Sequence, residues 1–521
     1  MHFRTKTLSM LHEKYRKDAF LHKFVDPFDH PSATLLAGRT KQKPFHSPGE
    51  GGWIILAFRA KLPGNPYTWL FPNPFYLPIA AATDPIFTKP FQALSAIFSV
   101  VFAYGDYYLE MLPFHFLRPS SGIPGGAQEV VLLDEDWLVT LYVAVGLRNA
   151  GCTVHIVSAA YPERLDVKYL GRRITREVAP PVRSDGYVSA IEAALAGRPS
   201  ASVLALTETV MYRLWDADPA WLHRIYPNPH AWQRELLRDK ARLSDCVANA
   251  GGRIPAQRFV ASAADLNTAI ESLGLPLVVK GITSFGGSRV EIVNTAAEAR
   301  DAAEKLAKNV TCFLQQYVSG PTFLVGGLFH DGQPIRLYAG EKLECAGQTG
   351  PSLRLRSHDD EALIAEALTA VRAIRWNGLA SMDIMRGQDG NYYFIEFNPR
   401  PWGSIAAAAQ TGVDLFGPLA QLLAGHLPAP DLSFSKGVQS TLFPQVALAR
   451  LRSGGMRPLA SLLREPRIWL DAPWLDLGLT THLARYIWWN WLDGTRNNGI
   501  ASRQTEQVRK GKSQDSRDWQ L

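Results

Sequence analysis

Hydrophobic and polar positions change their spacing along the chain, and the changes mark out domains. From residue 1 to about residue 126 they follow no clear period. Prolines and aromatics are mixed there (Pro72, Phe75, Pro78, Pro85, Phe91), and the stretch closes on a turn-rich run at residues 119–126. Regular spacing begins at Glu129–Asp134 (EVVLLD), apolar enough to be a buried strand. Residues 137–150 have helical spacing and stop at Gly151, Thr153–Ser158 reads as the next strand, and a helix over 188–195 leads to a further buried strand at 201–206. Strands alternating with helices predict a parallel α/β unit. No GxGxxG follows the first strand, so a dinucleotide site is not supported.

A helical stretch over 230–250 comes next and ends at Gly251-Gly252. From 275 to about 398 the texture is that of strands with short turns, interrupted by one long helix at 359–374, and another helix runs from Ser404 towards Gln410. After His426 the pattern fades. A Trp-rich patch (Trp488, Trp489, Trp491) precedes a polar stretch at 496–521 whose composition predicts disorder. The boundaries this predicts are an N-terminal extension of unknown structure at 1–126, an α/β domain at 127–228, a second domain at 229–430 and a C-terminal extension at 431–521. Exposed indoles are unfavourable, so the Trp patch is expected to pack back on the core. A membrane-surface contact is the rival reading, with Arg485, Arg496 and Arg509 nearby but Asp471, Asp476 and Asp493 diluting the charge.

The chain has 521 residues, 46% hydrophobic and 20% charged, an ordinary globular composition at a length for about two to four domains. The net charge of +7 suits an anionic partner, whether a phosphorylated small molecule, acidic lipid or nucleic acid, and no nucleic-acid recognition motif accompanies it. Cys152, Cys246, Cys312 and Cys345 lie far apart with no CxxC spacing, which argues against a zinc site or a disulfide framework. The charged start (His2, Arg4, Lys6, His12, Glu13, Lys14) has no signal-type apolar core, and the most apolar stretch, 93–104, is too short to span a bilayer. A cytoplasmic protein is expected.

The sharpest local reading concerns residues 381–400, SMDIMRGQDGNYYFIEFNPR. Asp389-Gly390 between two β-rich runs predicts a two-residue hairpin turn. Gln388 then pairs with Asn391, and the ladder places Asp383 opposite Glu396. Asn398, two residues on, points to the same face. Two carboxylates and an amide oxygen suit Mg²⁺ carried with phosphates. Carboxylates in a hairpin are ordinarily solvated. Here Met382, Ile384, Met385, Phe394, Ile395 and Phe397 predict burial on both faces, and facing buried carboxylates need a cation.

Residues 277–280 (LVVK) form an apolar strand ending in Lys280. It enters the Gly-rich segment 281–288 (GITSFGGS) and then the strand Val290–Val293. Such a loop can wrap backbone N–H groups around phosphate oxygens, with the lysine as a point charge, although Gly-Gly between strands is more often only a turn. It is not a P-loop, because no GK[ST] opens a helix. Lys240 begins a helix. Residues 313–318 (FLQQYV) form a strand running into Ser319-Gly320-Pro321, a connection that can offer backbone groups and apolar faces to a base.

Taken in order, Lys240, GGRIPAQRFV, LVVKG, SFGGS, LQQYVSGP, the strand around Asp383 and IEFNPRPWGS resemble the ATP-grasp superfamily, and residues 378–415 look most like its carboxylate–amine/thiol ligase branch, the carbamoyl-phosphate-synthetase-like ligases. The resemblance covers roughly residues 129–428. It implies an α/β and α+β architecture, a preATP-grasp parallel α/β domain followed by a two-lobed ATP-grasp domain. It further implies that Lys240 and Lys280 touch ATP phosphates, that Ser284, Gly286, Gly287 and Ser288 form the phosphate loop, and that Gln315, Gln316, Tyr317 and Val318 hold adenine. Asp383, Glu396 and Asn398 would bind Mg²⁺, with Mn²⁺ as an alternative, Arg400 would face the acyl phosphate or the substrate carboxylate, and Arg400 and Lys280 would be the catalytic residues. There are departures. Relatives commonly carry a ribose-binding carboxylate where this chain has Thr322, and Glu where it has Gln316. The stretch containing Arg354 and Arg356 matches a family substrate loop only loosely.

The implied activity is phosphorylation of a carboxylate by ATP and its transfer to an amine. The alternatives are a non-catalytic ATP-binding module, or a carboxylase or kinase on the same fold. The implied partners are ATP, a small carboxylate and an amine acceptor, without nucleic acid; a homodimer is left open.

Overall fold

The structure is a computed structural model. It describes six short strands between residues 22 and 78, then residues 128–134, 137–158, 167–283, 290–308, 310–347 and 350–454, and parts of 479–487. The chain divides into two compact units, residues 1–112 and 113–521. In the first, where the sequence shows no period, Trp53–Leu56 pairs with Phe75–Pro78, Arg59–Leu62 with Asn65–Trp69 and His22–Lys23 with Leu36–Ala37, all antiparallel.

The second unit opens with a parallel sheet in the order Ser202–Ala205, Glu129–Asp134, Thr153–Ser158, Ile174–Val178. Val130 to Leu133 are all fully buried, as both-face burial in a parallel sheet requires. Helix Trp137–Asn149 packs on this sheet. A smaller antiparallel sheet follows, in the order Gln257–Val260, Cys312–Gln316, Leu277–Gly281, Val290–Val293. Ala263–Leu273 and Ala296–Ala307 share its core. The largest sheet has six antiparallel strands in the order Tyr392–Asn398, Gly378–Arg386, Thr322–His330, Gln333–Cys345, Ser352–Ser357, Gln439–Thr441. Glu361–Ile374 covers one face, burying Leu363, Ala367, Ala370, Val371 and Ile374. The architecture is thus a parallel α/β domain followed by two antiparallel lobes, the fold class the resemblance implies.

Three expectations are corrected. The single helix at 230–250 is two, Ala231–Arg238 and Lys240–Asn249. Asp239 between them is extended (φ −123°, ψ 99°), and its carboxylate accepts from the Ala241 and Arg242 N–H groups, both at 3.0 Å. An N-cap thus interrupts what periodicity alone reads as continuous. The stretch at 275–398 holds a second helix, Ala296–Ala307, opened by a Thr295–Glu298 capping box. Beyond residue 426 the chain is not featureless. Gln439–Thr441 adds an edge strand, Gln445–Gly454 is helical, and Leu479, His482 and Leu483 are fully buried. Trp488, Trp489 and Trp491 lie outside the described residues. Among the described residues no helix is long and apolar enough to cross a membrane.

Candidate active site

The hairpin of strands Gly378–Arg386 and Tyr392–Asn398 pairs Asp383 with Glu396 and Ser381 with Asn398, so all four share a face. The turn that delivers this register is not the predicted one. Gly387 and Asn391 close a three-residue loop through Gly387 N–H to Asn391 O at 2.8 Å, with Gly390 at φ +82°. That shifts the ladder by one place, so Arg386 faces Tyr392 and Ile384 faces Phe394. Ile395 is then an extra residue opposite Asp383–Ile384, and this bulge restores the register at Asp383–Glu396. Met382, Ile384, Phe394 and Phe397 are buried on the helix side, while Met385 and Ile395 are only half-buried. The carboxylates therefore line an open face, not a sealed one.

Each carboxylate is met by a lysine. Lys240 Nζ bonds Glu396 Oε1. Lys342 Nζ lies 2.8 Å from Asp383 Oδ1. Lys342 reaches the face because the row Asp383, Leu324, Gly340 runs straight across three strands, and Lys342 lies two residues beyond Gly340. Burial opposes the charge on Lys342, but Asp383 outweighs it and holds the ammonium above its usual value. Burial likewise pushes the Glu396 carboxyl up, yet Lys240, then Lys280 and Arg400, pull it below the usual carboxylate range. Lys280, 8% exposed, donates to Gln315 Oε1 at 2.7 Å. Burial pulls its ammonium down to about 8, assisted by Lys240 and opposed by Glu396 and Asp383.

Arg400 follows the hairpin and is held on three sides. Its Nε donates to Glu208 Oε2 at 2.5 Å, Nη1 to Pro401 O at 3.1 Å and Nη2 to Asn398 Oδ1 at 3.2 Å. Glu208 belongs to the parallel α/β domain, as the first residue of helix Glu208–Ala217. A cleft of about 410 Å³, counting its open mouth, joins that domain to both lobes; Glu208, Tyr212, Arg238, Lys240, Thr283 and Glu396 are among its lining.

The structure therefore brings Lys240, Lys280, Asp383, Glu396, Asn398 and Arg400 together. Gln315 is buried with its side chain on Lys280, whereas Gln316 is exposed at the strand end and Tyr317 and Val318 are half-buried. Gly320 beyond them passes so close to the hairpin that a Cβ would lie 1.9 Å from Arg386 O. Ser284, Gly286, Gly287 and Ser288 lie outside the described residues. Arg354 and Arg356 pair across the sheet with Glu344 at 3.0 Å and Glu341 at 2.5 Å. Sequence reading missed Glu208 and Lys342. For Lys342 the period-2 pattern carried the face, but only once the register to Asp383 was known.

Among the described residues no three His, Cys, Asp or Glu side chains gather round one point; the third oxygen here is the Asn398 amide. Two carboxylates, each drawing a lysine ammonium, and an amide oxygen that accepts from the Arg400 guanidinium are all hard oxygen donors, and they fit a Mg²⁺ that completes its shell with phosphate and water.

A family model described as "Carbamoyl-phosphate synthase L chain, ATP binding domain" matches residues 239–427. Pyruvate carboxylase of Aspergillus niger is 23% identical over 173 residues, 30% of this chain and 14% of the relative. D-alanine–D-alanine ligase of Stutzerimonas stutzeri (strain A1501) is 28% identical over 178 residues, 32% of this chain and 56% of the relative. The chain thus spans little more than half of one relative and a small part of the other. The crystal structure of N5-carboxyaminoimidazole synthetase from Staphylococcus aureus complexed with ADP superposes with a TM-score of 0.50 and 14% identity, covering 64% of this chain and 86% of that one.

Proposed function

With residues 239–427 an ATP-grasp domain, we propose that the chain is an ATP-dependent ligase that phosphorylates a carboxylate to an acyl phosphate and joins it to an amine, releasing ADP and phosphate. The observation that carries this reading is the register of Asp383 on Glu396, with Lys240, Lys280, Lys342 and Arg400 gathered on or beside the same face. Four cations around two carboxylates are laid out for a ligand of high negative charge.

A carboxylate resists nucleophiles because its carbon is shielded by delocalised charge. Phosphorylation turns one oxygen into a leaving group. Asp383, Glu396 and Asn398 would hold Mg²⁺, which supplies neutralisation of charge on the phosphates. Lys240 and Lys280 would exchange their present partners for phosphate oxygens, and an arriving anion would restore the full charge on Lys280. Arg400 would stabilise the oxyanion formed when the amine attacks, since a guanidinium matches carboxylate and phosphate geometry. Segment 284–288 is assigned phosphate contacts on its sequence alone. Gln316, Tyr317 and Val318 are left to meet adenine, and Gln315 serves by holding Lys280.

The test is to incubate the full chain with ATP, Mg²⁺ and pooled acids, bicarbonate included, with and without pooled amines, reading ADP, phosphate and product mass. An amide formed together with ADP and phosphate is expected. ATP binding without turnover in any pool makes the chain a binding module. A stable phosphorylated product indicates a kinase, and turnover confined to bicarbonate a carboxylase.

A further inference from the structure

Arg400 is supplied by the ATP-grasp domain, but its buried charge partner is not. Glu208 stands 192 positions earlier, in the parallel α/β domain. It follows strand Ser202–Ala205 and opens helix Glu208–Ala217, so it lies just outside the carboxyl end of a parallel strand, where ligand crevices of such sheets form. The helix start is fixed, because Thr207 Oγ1 accepts from Val210 N–H at 3.4 Å, and a helix N-terminus favours a carboxylate. Glu208 is 7% exposed, and its Oε2 accepts from Arg400 Nε, so the carboxyl group is held in place before any substrate arrives.

Its partner has two further anchors. Arg400 Nη2 donates to Asn398 Oδ1 and Nη1 to Pro401 O, while the Arg400 N–H bonds Asn398 O at 2.8 Å. Two side-chain acceptors, Glu208 Oε2 and Asn398 Oδ1, and one backbone carbonyl, Pro401 O, fix the plane of the guanidinium. Asn398 is the amide oxygen donor on the Asp383–Glu396 face. An unbroken chain of hydrogen bonds therefore runs from the α/β domain, through Arg400, to the group proposed to complete the cation site.

We propose that Glu208 is a positioning residue for the ligase reaction: by holding Arg400 Nε it sets the guanidinium, and through it Asn398, so that the transfer site is complete only when the α/β domain is docked on the ATP-grasp domain. This rests on the ligase reading above. A bystander pair would stabilise the fold without favouring one kinetic constant. A positioning pair weighs on the transfer step more than on nucleotide binding, to which Lys240, Lys280 and the hinge contribute beside the Asp383–Glu396–Asn398 face.

The experiment uses the full chain with Glu208→Gln, Glu208→Asp, Arg400→Lys and the double variant Glu208→Gln/Arg400→Lys. Without substrates, hydrogen exchange by mass spectrometry should quicken in Glu208→Gln within peptides covering 396–404 and 206–212, and less in Glu208→Asp. With substrates, kcat should fall by about tenfold or more in Glu208→Gln while KM for ATP stays within about twofold, Glu208→Asp should recover part of the loss, and the double variant should be no worse than Arg400→Lys. Parent-like exchange at 396–404, or rate losses that multiply in the double variant, overturns the proposal. So does faster exchange across the whole chain in both Glu208 variants, which assigns the residue to folding. If the parent turns over no ATP with any acid, the ligase reading fails, and the exchange measurement alone decides whether Glu208 positions Arg400.

Discussion

Lys280 is held where water is scarce, with the neutral Gln315 Oε1 as its hydrogen-bond acceptor at 2.7 Å. Unfolded, it keeps its proton to about pH 10.5; folded, to about 8. Between those values the unfolded chain binds the additional proton, so raising the pH through this window stabilises the fold. Below about pH 8 the buried charge costs about 3 kcal/mol. The melting temperature of the parent should therefore rise relative to Lys280→Met between pH 8 and 10; a difference that stays flat would mean Lys280 is not desolvated. At fixed pH, Lys280→Ala should raise KM for ATP and lower kcat, and parent-like kinetics would make it a bystander. Glu396 is the opposite case, a carboxylate kept charged by Lys240 despite burial. Glu396→Gln keeps the shape and removes the charge. Phosphate release should fall by roughly 10²-fold or more, with the melting temperature lowered because Lys240 loses its charged partner, and activity equal to the parent's across Mg²⁺ concentrations would remove the metal assignment.

Strands and turns set how those side chains meet. The Asp383–Glu396 pairing was legible from the sequence, yet through two departures that cancel: a three-residue loop at 388–390 moves the ladder one way and the Ile395 bulge moves it back. Asp-Gly signalled the hairpin correctly, but loop length depends on Gly387 and Asn391 closing the turn, which no local rule distinguishes from the shorter form. Asp239 was visible as a residue and not as a break, because a cap inside a periodic run is hidden by the period. Glu208 was illegible for a different reason: its partner is 192 positions away, and nothing near it differs from any acidic helix start. Close packing also fixes the turn carrying Arg400. Trp402, 2% exposed, lies over Gly326 in the central strand Thr322–His330, and a Cβ at Gly326 would meet its ring at 2.7 Å. Gly326→Ala should therefore destabilise by about 1–3 kcal/mol, shift Trp fluorescence and reduce turnover; unchanged melting and emission would show that the ring gives way without strain.

Across the second unit, the stretch beyond residue 430 is held to several elements at once. Leu442 N–H bonds Leu353 O and Ser357 N–H bonds Val438 O, at 2.9 and 2.8 Å, as Gln439–Thr441 covers the edge of Ser352–Ser357. Arg450 reaches Glu344 at 2.7 Å, and Tyr142 of the α/β domain bonds Phe443 O. Leu442, Val446, Leu479 and Leu483 are buried at 2% exposure or less. At about 1.5–3 kcal/mol for each large apolar side chain, with such sums being upper bounds, their removal takes a share comparable to the ~5–15 kcal/mol by which a domain is stable. It also removes the sixth strand, Gln439–Thr441, and bares Ser352–Ser357 as an edge of the five that remain, a template for aggregation. A chain ending at residue 430 should therefore aggregate, or melt well below the full protein, in size-exclusion chromatography and thermal scans. If it stays monodisperse and melts with the parent, the C-terminal stretch contributes nothing to the core and the contacts of Leu442 and Leu479 are idle. The same preparation separates the two readings of the Trp-rich tail. Leu479, His482 and Leu483 are buried a few positions before that tail in sequence, and if the tail packs on the core as expected the full chain should not co-sediment with anionic vesicles, whereas salt-sensitive sedimentation would favour the membrane contact instead.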